Sequence, residues 1–289
     1  MTSGSGREVK LSNRDKVFWP ESGFTKGDLI DYYAAIAATM VPHLAGRPIT
    51  LRRWPNGIEG QTWFQKNAPK GRPDWMATVH LGDVDYLRID EPDGLVWAAN
   101  SAAIEIHPGL ATATDLERPT SAVFDLDPGE GADMITCCRV ALILRGYLER
   151  LNLEAWPKTS GSKGLQLYVP LNNATTFERT RPFAESLAHV AEGEYPDLIT
   201  STIEKVQRRK KVLIDWAQNA PSRTTVAVYS VRARAAPTVS TPVTWDEVES
   251  AETAEDLRFD TAAVLERVDR LGDLMAPVLS GQQDLPDPV

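Results

Sequence analysis

The chain has 289 residues, 42% apolar and 25% charged, the proportions of an ordinary soluble globule with enough length for one large domain or two modest ones. It contains no apolar run of about eighteen residues, so nothing in it reads as a membrane span. A net charge of −9 argues against nucleic acid only until it is mapped: 12 acidic and 3 basic residues lie from Asp246 onward, which leaves 28 of each sign in residues 1–245. Basic residues within that neutral body cluster at Arg47 to Arg53, Lys66 to Arg72 and Lys205 to Lys211, and local field rather than total charge attracts polyanions.

Residues 1–8 lack an apolar signal core and read as a short flexible leader. Thr25 predicts a helix N-cap, with Asp28 three positions on as an imperfect capping box. Leu29, Ile30, Tyr33, Ile36 and Met40 continue at helical spacing to Pro42. Lys16 and Lys26 flank the helix entry, where first-turn N–H groups and an ammonium suit a phosphate; plain solvated lysines are the other reading. Arg47 to Gly57 reads as a strand ending in a turn. Trp63 and Phe64 then stand beside a basic, loop-forming stretch, a pattern that fits base stacking or one core ring covered by the other. Residues 76–90 suggest a hairpin or two short strands, and Gly94 to Ile106 a helix followed by a strand. That strand brings His107 to its end before Pro108-Gly109, a place where functional side chains are displayed. Residues 108–120 read as loop.

Ser121 to Gly129 (SAVFDLDPG) predicts a strand stopped by Pro-Gly, with Phe124 and Leu126 facing a core and Asp125 and Asp127 sharing the other side. Two carboxylates on one face repel, and a divalent cation of the magnesium or manganese type relieves that repulsion; solvated strand-end residues are the alternative. Asp133 to Leu151 is the clearest helix. Its adjacent Cys137 and Cys138 cannot form an ordinary structural bridge, and with no other thiols the natural setting is a reducing cytoplasm. Thr159 to Gly164 (TSGSKG) leads into the strand Leu165 to Pro170. Its two hydroxyls, two glycines and one lysine suit a phosphate cradle without Walker spacing, or an ordinary hairpin loop. A second helix is predicted at 178–195. The strand Val212 to Trp216 carries the lone acid Asp215, which is costly in apolar company without a partner. A last strand is predicted at Val226 to Ala233, and an acidic, partly helical cap at 246–289.

In order, the motifs are hhhD-x-D, S-G-S-K-G-L-x-L-Y, an apolar strand ending D-W-x-Q-N, and Y-S-x-R. Together they resemble the polymerase domain of bacterial ligase D, a branch of the archaeo-eukaryotic primase superfamily, from about Arg7 to Leu279; the segments NRDKVFWP and AGRPITLRRWPNG fit it too. The resemblance implies an α/β, primase-like catalytic core: two packed β-sheets with flanking helices and an active-site cleft between them, in a single catalytic domain over 1–289. It implies a template-directed nucleotidyltransferase in which Asp125, Asp127 and Asp215 hold two divalent ions, Mn2+ or Mg2+. Manganese is expected to serve best, and ribonucleotides to be accepted readily. Arg52, His107, Ser160, Lys163, Gln166, Gln218 and Arg232 are implied around a nucleoside triphosphate. Lys16 and Lys26 are implied at a recessed DNA 5′-phosphate and Trp63 and Phe64 on template bases, with Asn13, Arg53, Lys66, Lys205 and Arg208 also assigned to DNA. Partners are then gapped or broken DNA, with separate ligase and end-binding proteins, in a nucleoid-associated cytoplasmic setting without a membrane.

Three departures from the family stand out. Gln166 replaces a usual histidine and can donate a hydrogen bond without carrying charge; Arg52 replaces a common lysine; and the stretch from His107 to Asp125 is shorter than in end-joining members. With no ligase or nuclease module in the sequence, the expectation is a stand-alone gap filler. The rival readings are a metal-dependent phosphodiesterase or nuclease, since the same acids cut phosphodiesters, and an inactive DNA-binding relative.

Overall fold

Two short antiparallel strands, β1 (Val17–Trp19) and β2 (Phe24–Thr25), deliver the chain to helix α1 (Lys26–Leu44) in a computed structural model that describes Arg7 and residues 9–286. The leader expected at residues 1–8 lies outside the described residues except for Arg7. The capping box is complete: Thr25 N–H donates to Asp28 Oδ2 (2.7 Å) and Asp28 N–H to Thr25 Oγ1 (3.1 Å). The helix runs past Pro42 to Leu44, because a proline in the last turn sacrifices only one backbone bond. Next come β3 (Ile49–Arg53), β4 (Trp63–Gln65), the hairpin β5 (Thr78–Leu81) and β6 (Val84–Leu87), helix α2 (Pro92–Asn100), β7 (Ala103–Pro108) and β8 (Ala111–Thr112). Strand β3 is the centre of this sheet: Arg52 lies opposite Phe64 of β4 on one side and Glu105 of β7 on the other.

Strand β9 (Asp115–Pro119) follows, so residues 108–120 carry two short strands where loop was expected; β8 is too short to alternate, and β9 (DLERP) has one apolar residue, Leu116, among charged ones. Then come β10 (Ser121–Pro128), α3 (Met134–Arg150), β11 (Trp156–Thr159), β12 (Leu165–Pro170), α4 (Phe177–Glu194), β13 (Ile199–Thr200) and β14 (Val212–Asp215). They form a sheet in the order β11-β12-β10-β14-β13, antiparallel except for the β13–β14 pair. Phe124, Leu126, Leu165, Leu167, Val212 and Ile214 are fully buried beneath it. Where β14 ends, Asn219 takes over as the partner of β10: its Oδ1 accepts from Val123 N–H (2.8 Å) and its Nδ2 donates to Val123 O (2.7 Å). Helix α3 is capped by Asp133 and Thr136, and its two thiols are free and buried, with burial pushing Cys138 up to about 11.

Of the strand expected at Val226 to Ala233, only β15 (Val231–Ala233) forms, paired with β16 (Pro237–Val239). Tyr229 has φ +66°, which interrupts extended backbone. Helices α5 (Trp245–Ser250), α6 (Thr261–Leu271) and α7 (Ala276–Ser280) occupy the acidic C-terminal region. The chain divides into two compact units. One takes residues up to Thr114 with Thr224–Ser240 and Phe259–Gly272; the other takes Asp115–Arg223, Thr241–Arg258 and the chain from Asp273. No helix among the described residues is long and apolar enough to cross a membrane.

One glycine ties the phosphate-cradle loop to the D-x-D strand. A Cβ on Gly164 would lie 2.1 Å from Leu126 O, so only glycine lets the two backbones approach. Gly164→Ala is therefore expected to destabilise the protein by about 2 kcal/mol or more, read as a lowered urea midpoint at unchanged m-value.

Candidate active site

In the second unit, register builds a row of polar residues across four adjacent strands. Lys158 of β11 faces Gln166 of β12, Gln166 faces Asp125 of β10, and Asp125 faces Asp215 of β14. Cross-strand partners project to one side of a sheet, so the two acids share a face with Asp127, two residues further along β10. Lys158 is fully buried and its Nζ donates to Gln166 Oε1 (2.6 Å), while the Gln166 side chain hydrogen-bonds Asp125. Burial, then repulsion from Asp215 and Asp127, raises the Asp125 carboxyl to about 6 in spite of Gln166 and Lys158.

Each acid also has a protein donor. Arg208 Nη2 donates to Asp127 Oδ2 (2.5 Å), and Gln218 Nε2 to Asp215 Oδ2 (2.7 Å), with Ala217 N–H on Asp215 Oδ1 (3.1 Å). The three acids therefore share a face without closing on one point. Among the described residues no three His, Cys, Asp or Glu side chains form a metal-binding group. The donor set nonetheless fits a divalent cation: three hard carboxylates share one face, burial and then their mutual repulsion raise Asp125, and cationic or N–H groups already stand against them. Strands β11 and β12 form a hairpin whose loop is the predicted cradle. Ser160 Oγ accepts from the N–H groups of Ser162 and Gly164 (both 3.2 Å), and Lys163 is exposed.

The first unit gathers a second set. Glu105, with no exposed side-chain surface, is 2.9 Å from His107 Nε2, 3.3 Å from Arg232 Nε and 3.5 Å from Arg52 Nη1. Burial would push Glu105 up, but His107, Arg232 and Arg52 outweigh it and hold the carboxyl at about 2. Burial lowers the His107 pKa, against the pull of Glu105. The Arg52 guanidinium lies over Trp54 (4.6 Å) and Phe64 (4.9 Å), and Phe64 meets the His107 ring edge-on at 5.6 Å. Trp63 and Phe64 are 44% and 55% exposed, which removes the core-ring reading; Arg53 lies over Trp63 at 5.5 Å.

Also in this unit, Asn13, Lys16, Lys26, Arg53, Pro55, Asn56, Asn100, Ser101 and Ala102 line a pocket of about 270 Å³. Lys26 is buried, its Nζ donating to Ser12 O (2.7 Å), so it is not a solvated surface lysine. Its pKa is lowered by burial and then by Lys16 and Arg53. Lys16 Nζ donates to Pro55 O (2.5 Å) and Asn56 Oδ1 (2.8 Å). The first-turn N–H groups expected to face a phosphate are used elsewhere: those of Lys26 and Gly27 donate to Lys16 O and Arg14 O at 2.8 and 2.7 Å. The cationic character of this pocket therefore comes from side chains.

Of the remaining predicted residues, Lys66 is exposed, and the side chain of Lys205 lies outside the described residues. Sequence reasoning gave no role to Glu105 or Lys158. The period-two pairing of Glu105 with His107 was a signal for the first; a lysine at an inward position of β11 becomes visible only once that strand is registered against β12.

A sequence profile of the LigD primase-polymerase domain matches residues 25–275. The chain is 43% identical over 276 residues to the multifunctional non-homologous end joining protein LigD of Mycolicibacterium smegmatis, covering 93% of this chain and 36% of that protein. It is 31% identical over 280 residues to the bifunctional non-homologous end joining protein LigD of Bacillus subtilis, covering 96% and 45%. The chain thus spans less than half the length of these relatives. The solved polymerase domain from Mycobacterium tuberculosis ligase D, in complex with DNA, superposes with a TM-score of 0.89 at 38% identity, over 96% of this chain and 99% of that one. An acidic row on a mixed α/β scaffold, matched over nearly its whole length, defines a polymerase-type nucleotidyltransferase fold. The chain belongs to the LigD primase-polymerase domain family.

The raised Asp125 pKa has a consequence for stability. In the unfolded chain Asp125 loses its proton near the ordinary aspartate value of 3.8, but in the folded protein only near 6. The folded state therefore binds more protons between those values, and stability falls as pH rises through that window. In EDTA, Asp125→Asn is expected to be more stable than the parent at pH 8 by about 1–3 kcal/mol, with the gain vanishing toward pH 4; parallel urea titrations at the two pH values check it.

Proposed function

We propose that this chain is a template-directed nucleotidyltransferase that extends a DNA 3′ end at short gaps or breaks during double-strand break repair. The observation that carries the reading is the row in which Asp125 sits between Asp215 and Gln166, with Asp127 on the same face and the Ser160–Gly164 loop held against the same strand. Two divalent ions, Mn2+ or Mg2+, bound by Asp125, Asp127 and Asp215 would supply charge stabilisation to the attacking and leaving oxygens of an in-line displacement. The chain's own residues do the rest. Gln166 and Gln218 orient the carboxylates they touch, and Arg208 neutralises Asp127 until substrate binds. Ser160 and Lys163 offer a hydroxyl and an ammonium to phosphate oxygens, as Arg52, His107 and Arg232 do with guanidinium and imidazole donors. Asn13, Lys16, Lys26 and Arg53 line a pocket of the right charge for the 5′-phosphate across a gap, and exposed Trp63 and Phe64 offer faces to template bases. DNA in the solved relative, and the end-joining role in the names of the longer relatives, support this reading. End-binding repair proteins as partners, and a place at the nucleoid, follow from it.

Extension of a labelled gapped primer with Mn2+ and each of the four ribo- and deoxyribonucleoside triphosphates tests the assignment. Templated addition is expected, with Asp125→Ala and Asp127→Ala losing at least about 10³-fold. Shortening of the label would instead support a nuclease, and no change an inactive binding relative. The cationic pocket gives a separate outcome. Lys26→Ala is expected to cost roughly tenfold in affinity for gapped DNA bearing a 5′-phosphate, with a salt slope lower by about 1, and little for the 5′-hydroxyl analogue, in fluorescence anisotropy. A gap-restricted role predicts no stable bridging of two 3′-overhanging ends in a mobility assay.

A further inference from the structure

Glu105 is out of place in a site for anions. Its side chain has no exposed surface, and Ile104 and Ile106, its neighbours on β7, are equally buried. Yet it reaches all three of Arg52, His107 and Arg232, whose side chains are only 26%, 10% and 11% exposed. A carboxylate here subtracts positive charge from the cluster, so whatever it adds to anion binding must be geometric.

We propose that Glu105 is the positioning residue of this cluster, fixing two guanidinium planes and one imidazole in the arrangement that receives a triphosphate. The inference rests on the nucleotide reading above. Arg52 and Arg232 both act electrostatically on His107, and without a shared counter-charge the two guanidiniums would repel each other. The carboxylate itself cannot rotate freely, because Ala233 N–H donates to its Oε1 (3.2 Å) while Oε2 faces His107 and Arg52. A guanidinium anchored at one edge keeps its remaining N–H donors in a fixed plane. For Arg52 that plane is set a second time by Trp54 and Phe64. Pre-set donors bind a polyanion without the ordering cost that free side chains incur.

Glu105→Gln and Glu105→Asp test this on the full chain. Binding of inorganic tripolyphosphate and of a nucleoside triphosphate is measured by calorimetry, and KM and kcat on gapped DNA by primer extension. Affinity for gapped DNA with a 5′-phosphate serves as the check that the same unit is folded. Glu105→Gln is expected to weaken tripolyphosphate at least tenfold and raise the triphosphate KM by a similar factor, with kcat within threefold. Glu105→Asp keeps the charge but is one methylene short, and is expected to move the same quantities less. A folded variant with unchanged tripolyphosphate affinity and KM overturns the proposal, as does a loss confined to kcat; if Glu105→Gln does not fold, Glu105→Asp decides by the same criteria. A parent protein that binds neither tripolyphosphate nor nucleotide would sink the nucleotide reading and this inference with it, whereas a binding parent with indifferent variants sinks only the inference.

Discussion

Strand register is the constraint on which the chemistry of the second unit depends. Pairing β11, β12, β10 and β14 residue for residue brings a cation, an amide and two carboxylates into one line. A shift of one residue in any pairing would turn that strand's contribution to the opposite face. The fully buried apolar residues between the polar ones, Phe124, Leu126, Leu165, Leu167 and Ile214, oppose such a slip, since it would expose them. Hydrophobic packing thus sets the spacing of the acids, at a cost that surfaces in the raised Asp125 carboxyl.

The two units use the same device with the signs reversed. In one, a buried ammonium is placed behind acids; in the other, a buried carboxylate is placed among cations. An isolated charge in either interior would be expensive, and each is tolerated because its partners are delivered by neighbouring strands rather than by loops. Burial pushes both carboxyls up; the contrasting outcomes, Asp125 near 6 and Glu105 near 2, follow from the company each keeps, two like charges beside the first, and the His107 hydrogen bond with the charges of Arg232 and Arg52 beside the second.

Much of this was legible in the sequence, unevenly. The D-x-D strand, the capped helix at Thr25, the hairpin at 76–90 and the long helix after Asp133 are local patterns, and they stand where the periodicity puts them. Asp215 could be flagged as a lone acid in an apolar strand, but its pairing opposite Asp125 is a fact of sheet order. Tertiary context decided the cases that went otherwise. Val226 to Tyr229 has strand composition, but a positive φ at Tyr229 breaks the run. The stretch 108–120 looked featureless because one of its strands has two residues and the other, DLERP, has one apolar side chain among charged ones. Donors at the entry of α1 were expected to point outward, but a preceding turn claims them. Above all, Glu105 and Lys158 went unassigned, because a buried charge announces itself only when its surroundings are known.

Lys158 also limits how the chain can drift. Whatever stands at position 166 must accept from an ammonium on one side and donate to a carboxylate on the other. Glutamine does both with a fixed amide. A histidine there could do so only as one neutral tautomer, because a doubly protonated ring has no acceptor to offer and would set a second positive charge against the first. Methionine or leucine would remove the acceptor that Gln166 gives the buried ammonium. Positions 158 and 166 are therefore expected to change together over evolutionary time, as a covarying pair whose coupling comes from one enclosed hydrogen bond.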